Sequence, residues 1–531
     1  MAKAQKNFLN GAMILSVASI AVKIIGAIYK IPLARWIGTT GMNYYTDAYQ
    51  IYSLLFILST AGVPVAIAKM VSESLVDRRL KEPKKILKIS TGIFATIGII
   101  LSALLIIFVE PLSKLLFSET ANHCLTLIAP SIFLVSVSST IKGYFQGYKC
   151  MTPTAVFQTI EASFKLFGLV AVFIMMRQGI TDPMTLACGG ILGVTFGSFA
   201  AAVFMVIRYF SEKDLGRGIT NTLPSHSGRS IAKLVLTLAI PISLSNAVMS
   251  VTSTLDMILV KWNLSEYGLD AEAVKDVYGA YTGATGSLFN LPPTITLTFG
   301  VAVLPFLTSA LAAGKKEEAD KNMRSSSKMV SLIAMPCALG MSVMSEPIIK
   351  VLYTEGFYEV GIPCMQALAI SIFFVAFVSL TGVFLQAAGK VKTSLLTMGI
   401  GAVMKLTVNI LAVRNIGIIG APLGTFACYG TITALNIFFI YKYCKFRFPV
   451  KGTFLKPFAC TALCCAAAYG VWKLLCATGM SLKLALFPAL AVAVVVYAAT
   501  VLLFKVLTKE DLIFLPKQIG SFLEQKGWVH E

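Results

Sequence analysis

Apolar runs of about 20 residues, each closed off by Lys, Arg, Pro or Gly, recur along the sequence. A run of that length crosses a hydrocarbon core of about 30 Å as a helix. The runs lie at 8–37, 47–69, 89–109, 123–147, 155–176, 184–207, 234–260, 278–306, 329–345, 363–388, 394–413, 417–441, 457–477 and 484–504. Barrel strands alternate every second residue over about ten, so unbroken runs specify helices. Hydrophobic residues make up 56% and charged residues 13%, against roughly 25% charged in soluble domains, which excludes a water-soluble globule. The expected fold is an all-α polytopic membrane protein with about 14 transmembrane helices.

The net charge of +20 suggests nucleic acid until its placement is considered. Basic clusters fall between spans on the side that holds both termini: Arg78, Arg79, Lys81, Lys84 and Lys85; Lys315, Lys316, Lys321, Arg324 and Lys328; Lys442, Lys445, Arg447, Lys451 and Lys456. This is the asymmetry that orients membrane helices, so the termini are expected in the cytoplasm of a cell-membrane protein, with no nucleic-acid partner. Met1 to Lys6 resembles the start of a signal peptide, but the apolar run after it is long and lacks a clear cleavage site. It reads as a retained first helix.

The chain also contains itself twice. Glu110-Pro111-Leu112-Ser113-Lys114-Leu115-Leu116-Phe117 returns as Glu346-Pro347-Ile348-Ile349-Lys350-Val351-Leu352-Tyr353, from 110 to 346. Gln146 with Lys165-Leu166 returns as Gln386 with Lys405-Leu406, from 146 to 386 and with the internal spacing unchanged. The small difference between the two offsets is what a loop indel produces. The expected division is residues 1–220 as lobe one and 221–445 as lobe two, each with six spans. Residues 446–531 carry two further helices and an amphipathic tail, Asp511 to Trp528. An even number of spans per copy gives parallel repeats about an axis along the membrane normal, the signature of transporters that rock two halves around a central site.

Breakers interrupt several runs: Gly62-Val63-Pro64, Pro241, Pro292-Pro293 and Pro305. The second span of each lobe is affected, where cavity-lining or moving helices are expected, with a static packing kink as the competing reading. Polar residues within or at the edge of the spans are the candidate ligand-binding set: Lys23, Lys30, Asp47, Glu161, Lys165, Asp256, Lys405 and Asn409. A centred charge costs about 2.5–3.5 kcal/mol on insertion scales, so it faces a partner or a wet cavity. Lys23 and Lys30 are two turns apart on one helical face. Glu161 and Lys165 have the i, i+4 spacing of a helix ion pair, whereas the repeat equivalent of Glu161 is Gly401. Lys30 and Asp47 lie near span ends, where snorkelling to the interface competes with function. Asp256 is a candidate partner for a lobe-one lysine. Several buried cations suit an anionic group such as a pyrophosphate.

Other classes find less support. The eleven Cys sit mostly in apolar runs, without ligand spacing, and read as small buried hydrophobes with no disulfide expected. Three scattered His residues do not suggest a metal site. No phosphate-binding Gly-rich loop is present, so no cofactor is expected. No nucleophile–base or paired-carboxylate constellation is visible, and the chain is not expected to be an enzyme. The acidic stretch Glu266, Asp270, Glu272 and Asp276 reads as a solvated outer loop.

Lys23-Ile24-Ile25-Gly26, Ile31-Pro32-Leu33-Ala34-Arg35-Trp36-Ile37-Gly38, Tyr49-Gln50-Ile51-Tyr52 and Ser59-Thr60-Ala61-Gly62-Val63-Pro64-Val65-Ala66-Ile67-Ala68-Lys69 carry a resemblance. They resemble the polysaccharide-export branch of the MOP superfamily, in its stage V sporulation protein B and MurJ-like lipid II flippase subgroup. The resemblance covers nearly the whole chain. It implies two six-helix lobes around a central cavity and alternating access that moves an undecaprenyl-pyrophosphate-linked glycan, lipid II, from the inner to the outer leaflet. It further implies membrane lipid and a cell-wall polymerase as partners, and a tail groove formed by the last two helices. Lys23 matches a first-helix cation of the family and Asp47 an acidic residue at the start of the second helix. Proteobacterial members carry an Arg late in the second helix and another in the eighth, where this chain has Ser59-Thr60 and Ser287-Leu288. Lys165, Lys405 and Lys261 are the candidate substitutes. The alternatives are export of another lipid-linked oligosaccharide for capsule, teichoic acid or spore cortex, and a MATE-type drug/cation antiporter. The antiporter favours a carboxylate-dominated site, which this interior lacks.

Overall fold

The computed structural model describes residues 2–116, 122–212, 226–508, 511 and 524. Nearly all of these are helical, and no strand forms among the described residues. The helices of the first half are α1 (Ala2–Thr60), α2 (Val63–Val76), α3 (Glu82–Ile107), α4 (Val109–Leu115), α5 (Asn122–Gly147), α6 (Thr152–Arg177) and α7 (Pro183–Ser211). Then come α8 (Gly228–Glu266), α9 (Ala271–Phe289), α10 (Leu291–Ala312), α11 (Lys316–Val343), α12 (Ser345–Leu352), α13 (Tyr358–Ala387), α14 (Val391–Ile416) and α15 (Gly420–Cys444). α16 (Lys456–Ala477) and α17 (Leu482–Leu503) complete the set. Apart from Asp511 and Glu524, the expected amphipathic tail lies outside the described residues.

Eleven stretches among the described residues are long and apolar enough to cross a membrane, against the fourteen or so expected. The difference lies in how helices run together. Ala18–Val76 is a single stretch although Gly38, at φ 71°, breaks α1 and a second break at Ala61-Gly62 separates α2. Val391–Cys444 likewise holds both α14 and α15. The α9–α10 region, interrupted at Asn290, is not among the eleven.

The internal repeat survives as structure. The described part of the repeated octapeptide lies in the short helix α4 in its first copy, and the second copy forms the short helix α12, each directly after a long helix. In both copies the second span breaks just before its prolines: α2 begins at Val63-Pro64 and α10 at Leu291-Pro292. At the first break the Gly62 N–H, which has lost its helical partner, donates to Ser243 Oγ of α8 at 3.0 Å. A side chain at 62 would collide with the Ala239 carbonyl, so only glycine allows this approach. Pro241 lies inside α8 and the Pro292-Pro293 pair opens α10, where a missing N–H costs little.

Two compact units are present. The first comprises Met1–Lys261 and Asp270–Thr282, the second Trp262–Leu269 and Gly283–Glu531. The first therefore takes most of α8 and the start of α9 in addition to α1–α7. Its core joins Val63, Ile67, Phe94, Phe145, Phe157 and Met205 to Val235 and Ala239 of α8. α7 is capped by Asp182, whose carboxylate accepts from the Thr185 N–H at 2.8 Å and the Thr185 hydroxyl at 2.6 Å. Those bonds hold the Asp182 carboxyl below its usual range.

The second unit packs Leu307, Val330, Phe377, Leu380, Phe384 and Ile440 into its main core. The α16–α17 pair adds Ala468, Trp472, Leu486 and Ala489 against Met344. Beyond α17 the chain is pinned by a buried ion pair, Lys328 Nζ to Asp511 Oδ2 at 2.7 Å, with Thr508 Oγ1 accepting from the same lysine at 3.0 Å.

Candidate functional site

A buried ion pair lies in the first unit. Asp47 on α1 and Lys261 on α8 are separated by 214 residues, and both side chains are fully shielded from solvent. Lys261 Nζ donates to both Asp47 carboxylate oxygens at 2.6 Å and to the Leu116 carbonyl at 3.1 Å. An ammonium has three N–H donors, and these three acceptors match them. The Tyr278 ring lies 4.9 Å from the same nitrogen. Asn43, one turn before Asp47, donates its amide to Asp47 Oδ2 at 3.1 Å. Charge thus balances charge inside the protein. Removing one partner from such a pair costs about 3–5 kcal/mol, because the other is left buried and uncompensated.

The same stretch of α1 is bonded along its length. The Thr39 hydroxyl donates to Asp276 Oδ1 at 3.1 Å, and Thr40 donates to the same oxygen. Gly279 lies so close to the Thr39 carbonyl that a Cβ there would overlap it. Thr282 donates to Thr46 at 3.4 Å, and Gln50 to Thr254 at 3.4 Å. From residue 39 to residue 50, α1 is joined to α8 and the first turns of α9 by polar contacts. Asp276, read from sequence as part of a solvated loop, belongs to this seam.

Asp47 is therefore held inside the protein rather than reaching for the interface. Lys23 is exposed on α1 and Lys30 half-buried. Asp256 is half-buried on α8, five residues before the lysine that takes Asp47.

Glu161 and Lys165 form their i, i+4 pair at 3.6 Å on α6, with side chains 16% and 20% exposed. The Lys165 ammonium sits 5.9 Å from the Tyr49 ring. Tyr45, Tyr49, Tyr52 and Phe56 make a continuous row of ring contacts along α1. Lys142, which sequence reasoning passed over, lies 3.5 Å from the Phe157 ring.

In the second unit, Lys405 is half-buried and Asn409 fully buried on α14. Here the repeat explains its own broken symmetry. On the α6–α7 hairpin Gly193 faces the Lys165 backbone and Gly197 the Glu161 backbone, each 2.5 Å from where a Cβ would sit. On α14–α15 Gly424 faces Lys405 and Asn409, but the next contact is inverted: Gly401 lies on α14 and meets Cys428 and Ile432 of α15. Both hairpins need a glycine at that crossing. In the first copy α7 supplies it and leaves room for Glu161. In the second α14 supplies it, so position 401 carries no carboxylate.

The second unit also holds an apolar cavity of about 440 Å³ among α11, α12, α16 and α17, with Met341, Met344, Cys464, Ala468, Leu490 and Tyr497 in its walls. The main residues missed by sequence reasoning are Asn43, Thr39, Thr40 and Tyr278 of the seam. Lys261, considered there only as a substitute cation, is its centre. The signal available was a lysine at the end of an apolar run, with no means of naming its partner.

Comparisons with known proteins agree with this architecture. The family model described as polysaccharide biosynthesis protein matches residues 8–311, and the MatE model matches 241–411. Stage V sporulation protein B of Bacillus subtilis (strain 168) is 24% identical over 518 residues, covering 97% of this chain and 98% of that protein. Lipid II flippase MurJ of the same organism is 23% identical over 449 residues, 81% of this chain and 82% of the relative. Among solved structures, lipid II flippase MurJ in an inward closed conformation aligns with a TM-score of 0.70 at 18% identity, covering 93% of this chain and 98% of that one. An inward-facing multidrug resistance MATE family transporter of the MOP superfamily aligns at 0.65 and 13% identity, covering 81% and 98%. With the MOP superfamily fold, and with more than half its length matched by one family model, the chain belongs to the polysaccharide biosynthesis protein family.

Proposed function

We propose that this protein carries an anionic, lipid-linked glycan precursor from the inner to the outer leaflet by alternating access. The precursor we assign is undecaprenyl-pyrophosphate-linked lipid II. The observation that carries the reading is the buried Asp47–Lys261 pair with its seam of threonine contacts. A permanent contact is made as well or better from apolar side chains, since a buried ion pair gains little over a hydrophobic replacement. A charged seam differs in that water and a charged ligand can replace each of its bonds, so it can open. The names of the relatives, a lipid II flippase and a stage V sporulation protein, support transport for cell-wall synthesis.

In this reading both termini are cytoplasmic, and the seam closes the outer side. Residues 1–220 and 221–445 are the two lobes of the cycle, and α16–α17 in 446–531 accompany the second. Lys23, exposed on α1, and Lys30 meet the pyrophosphate first, and the half-buried Lys405 offers a second polar contact, with Asn409 buried behind it at the α14–α15 crossing. Glu161–Lys165 and Asp256 tune the charge around them. Asp47 and Lys261 exchange their mutual bonds for water and ligand as the outer side opens. The apolar cavity among α11, α12, α16 and α17 accommodates part of the isoprenoid tail. Membrane lipid surrounds the transport path, and a cell-wall polymerase is the consumer at the outer leaflet.

The second reading, export of a different lipid-linked oligosaccharide, is favoured by the match to a sporulation protein over 97% of this chain. Complementation of cells depleted of their lipid II flippase separates the two. Wild type restores growth under the first reading, and Lys23→Ala at matched membrane levels loses at least about tenfold of that rescue, as expected for a cation that binds the pyrophosphate. Failure of a well-expressed wild type rejects lipid II and favours the second reading.

A further inference from the structure

Two thiols of the first unit lie against each other although they are distant in sequence. The sulfurs of Cys124, in the first turn of α5, and Cys188, in the second turn of α7, are 3.0 Å apart and buried. A thiol is a weak donor and a weak acceptor, so an S–H···S contact by itself does not draw the two so close. The helices impose the approach. Seven residues further along both helices, Ser131 Oγ donates to Thr195 Oγ1 at 3.3 Å, again across a separation of 64 residues. Thr195 in turn donates to the Leu127 carbonyl at 2.8 Å. Seven residues are about two helical turns, so α5 and α7 keep one register over this length and hold the thiols opposed. A disulfide bond of about 2.0 Å requires roughly 1 Å of further closure.

We propose that Cys124 and Cys188 are a modification site that forms a reversible disulfide with a peroxide as oxidant. Cys188 is 8% exposed and Cys124 fully covered, which excludes a protein oxidant and selects a small one. The Cys188 thiolate attacks a peroxide oxygen, the O–O bond breaks, and a sulfenic acid and water are formed. The Cys124 sulfur then attacks the sulfenic sulfur; the S–S bond forms, the S–O bond breaks and a second water leaves. Two thiols are oxidised by two electrons, and one hydrogen peroxide is reduced to two waters. A thiol reductant reverses the bond by exchange. Both cysteines belong to one compact unit, and the bond staples α5 to α7 within it.

The test uses the full-length protein in detergent, reduced, freed of reductant, treated with hydrogen peroxide, then denatured and alkylated with N-ethylmaleimide for peptide mass mapping. The expected result is loss of two of the eleven alkylatable thiols, recovery of a Cys124–Cys188 linked peptide, and return of both thiols after reduction. Cys188→Ser should keep Cys124 alkylatable, whereas in Cys124→Ser the Cys188 sulfur should stop at the sulfenic acid, which dimedone traps. Recovery of both wild-type cysteines as separately alkylated peptides, or as separate sulfinic acids, overturns the proposal.

Discussion

Lys261 places its three N–H donors on Asp47 and Leu116, which makes it more consequential than any of the exposed lysines around it. In Lys261→Met the Asp47 carboxylate stays buried with no cation, and unfolding free energy should fall by about 3–5 kcal/mol. Asp47→Leu combined with Lys261→Met removes both charges and should recover most of that loss. Thermal denaturation of the purified variants measures both; a single variant as stable as wild type contradicts the assignment. Asp47 was legible in the sequence because a carboxylate near the start of an apolar run needs an explanation. Its partner was not, because contacts over 214 residues leave no local trace. Asp276 is solvent-exposed, as read from sequence, but its partners were hidden for a related reason. Beside Glu266, Asp270 and Glu272 it looks like one of a solvated cluster, and only the fold brings Thr39 and Thr40 to it.

Element by element, the duplication organises the structure. Both copies of the repeated octapeptide become short helices between the expected spans, a feature the sequence reading did not foresee, and both second spans break before proline, where the breakers pointed. The helix hairpins α6–α7 and α14–α15 show what the pattern conceals. Loss of the carboxylate between Glu161 and Gly401 looks from sequence like a difference in ligand chemistry, yet the glycine at 401 is required where α14 crosses α15. Gly401→Ala should therefore destabilise the protein by about 1–3 kcal/mol through overpacking against Ile432. Gly399→Ala, two residues away with open space around it, should be neutral or stabilising by up to about 1 kcal/mol through helix propensity. Melting temperatures in one detergent give the comparison, and an equal response from both variants contradicts the packing account. The breaks at Gly38 and between α14 and α15 were legible too, since the apolar runs end at 37 and 413, close to where the stretches Ala18–Val76 and Val391–Cys444 are interrupted.

For the whole molecule, the account requires that the polar seam between residues 39–50 and α8–α9 opens once per transported precursor. A seam that never parts could hold the same bonds and serve only as structure. Cysteines introduced as Thr46→Cys and Thr282→Cys, whose hydroxyls face each other at 3.4 Å across the seam, can be bridged by an oxidant in a chain whose native cysteines are replaced by serine or alanine. The decisive measurement is the amount of lipid II exposed on the outer leaflet of cells depleted of their own flippase, with the bridge closed and then reduced. The account predicts that the reduced protein restores exposure, and that closing the bridge lowers it at least about tenfold, the effect of about 1.4 kcal/mol or more on the opening step. Undiminished exposure from fully bridged protein would contradict it.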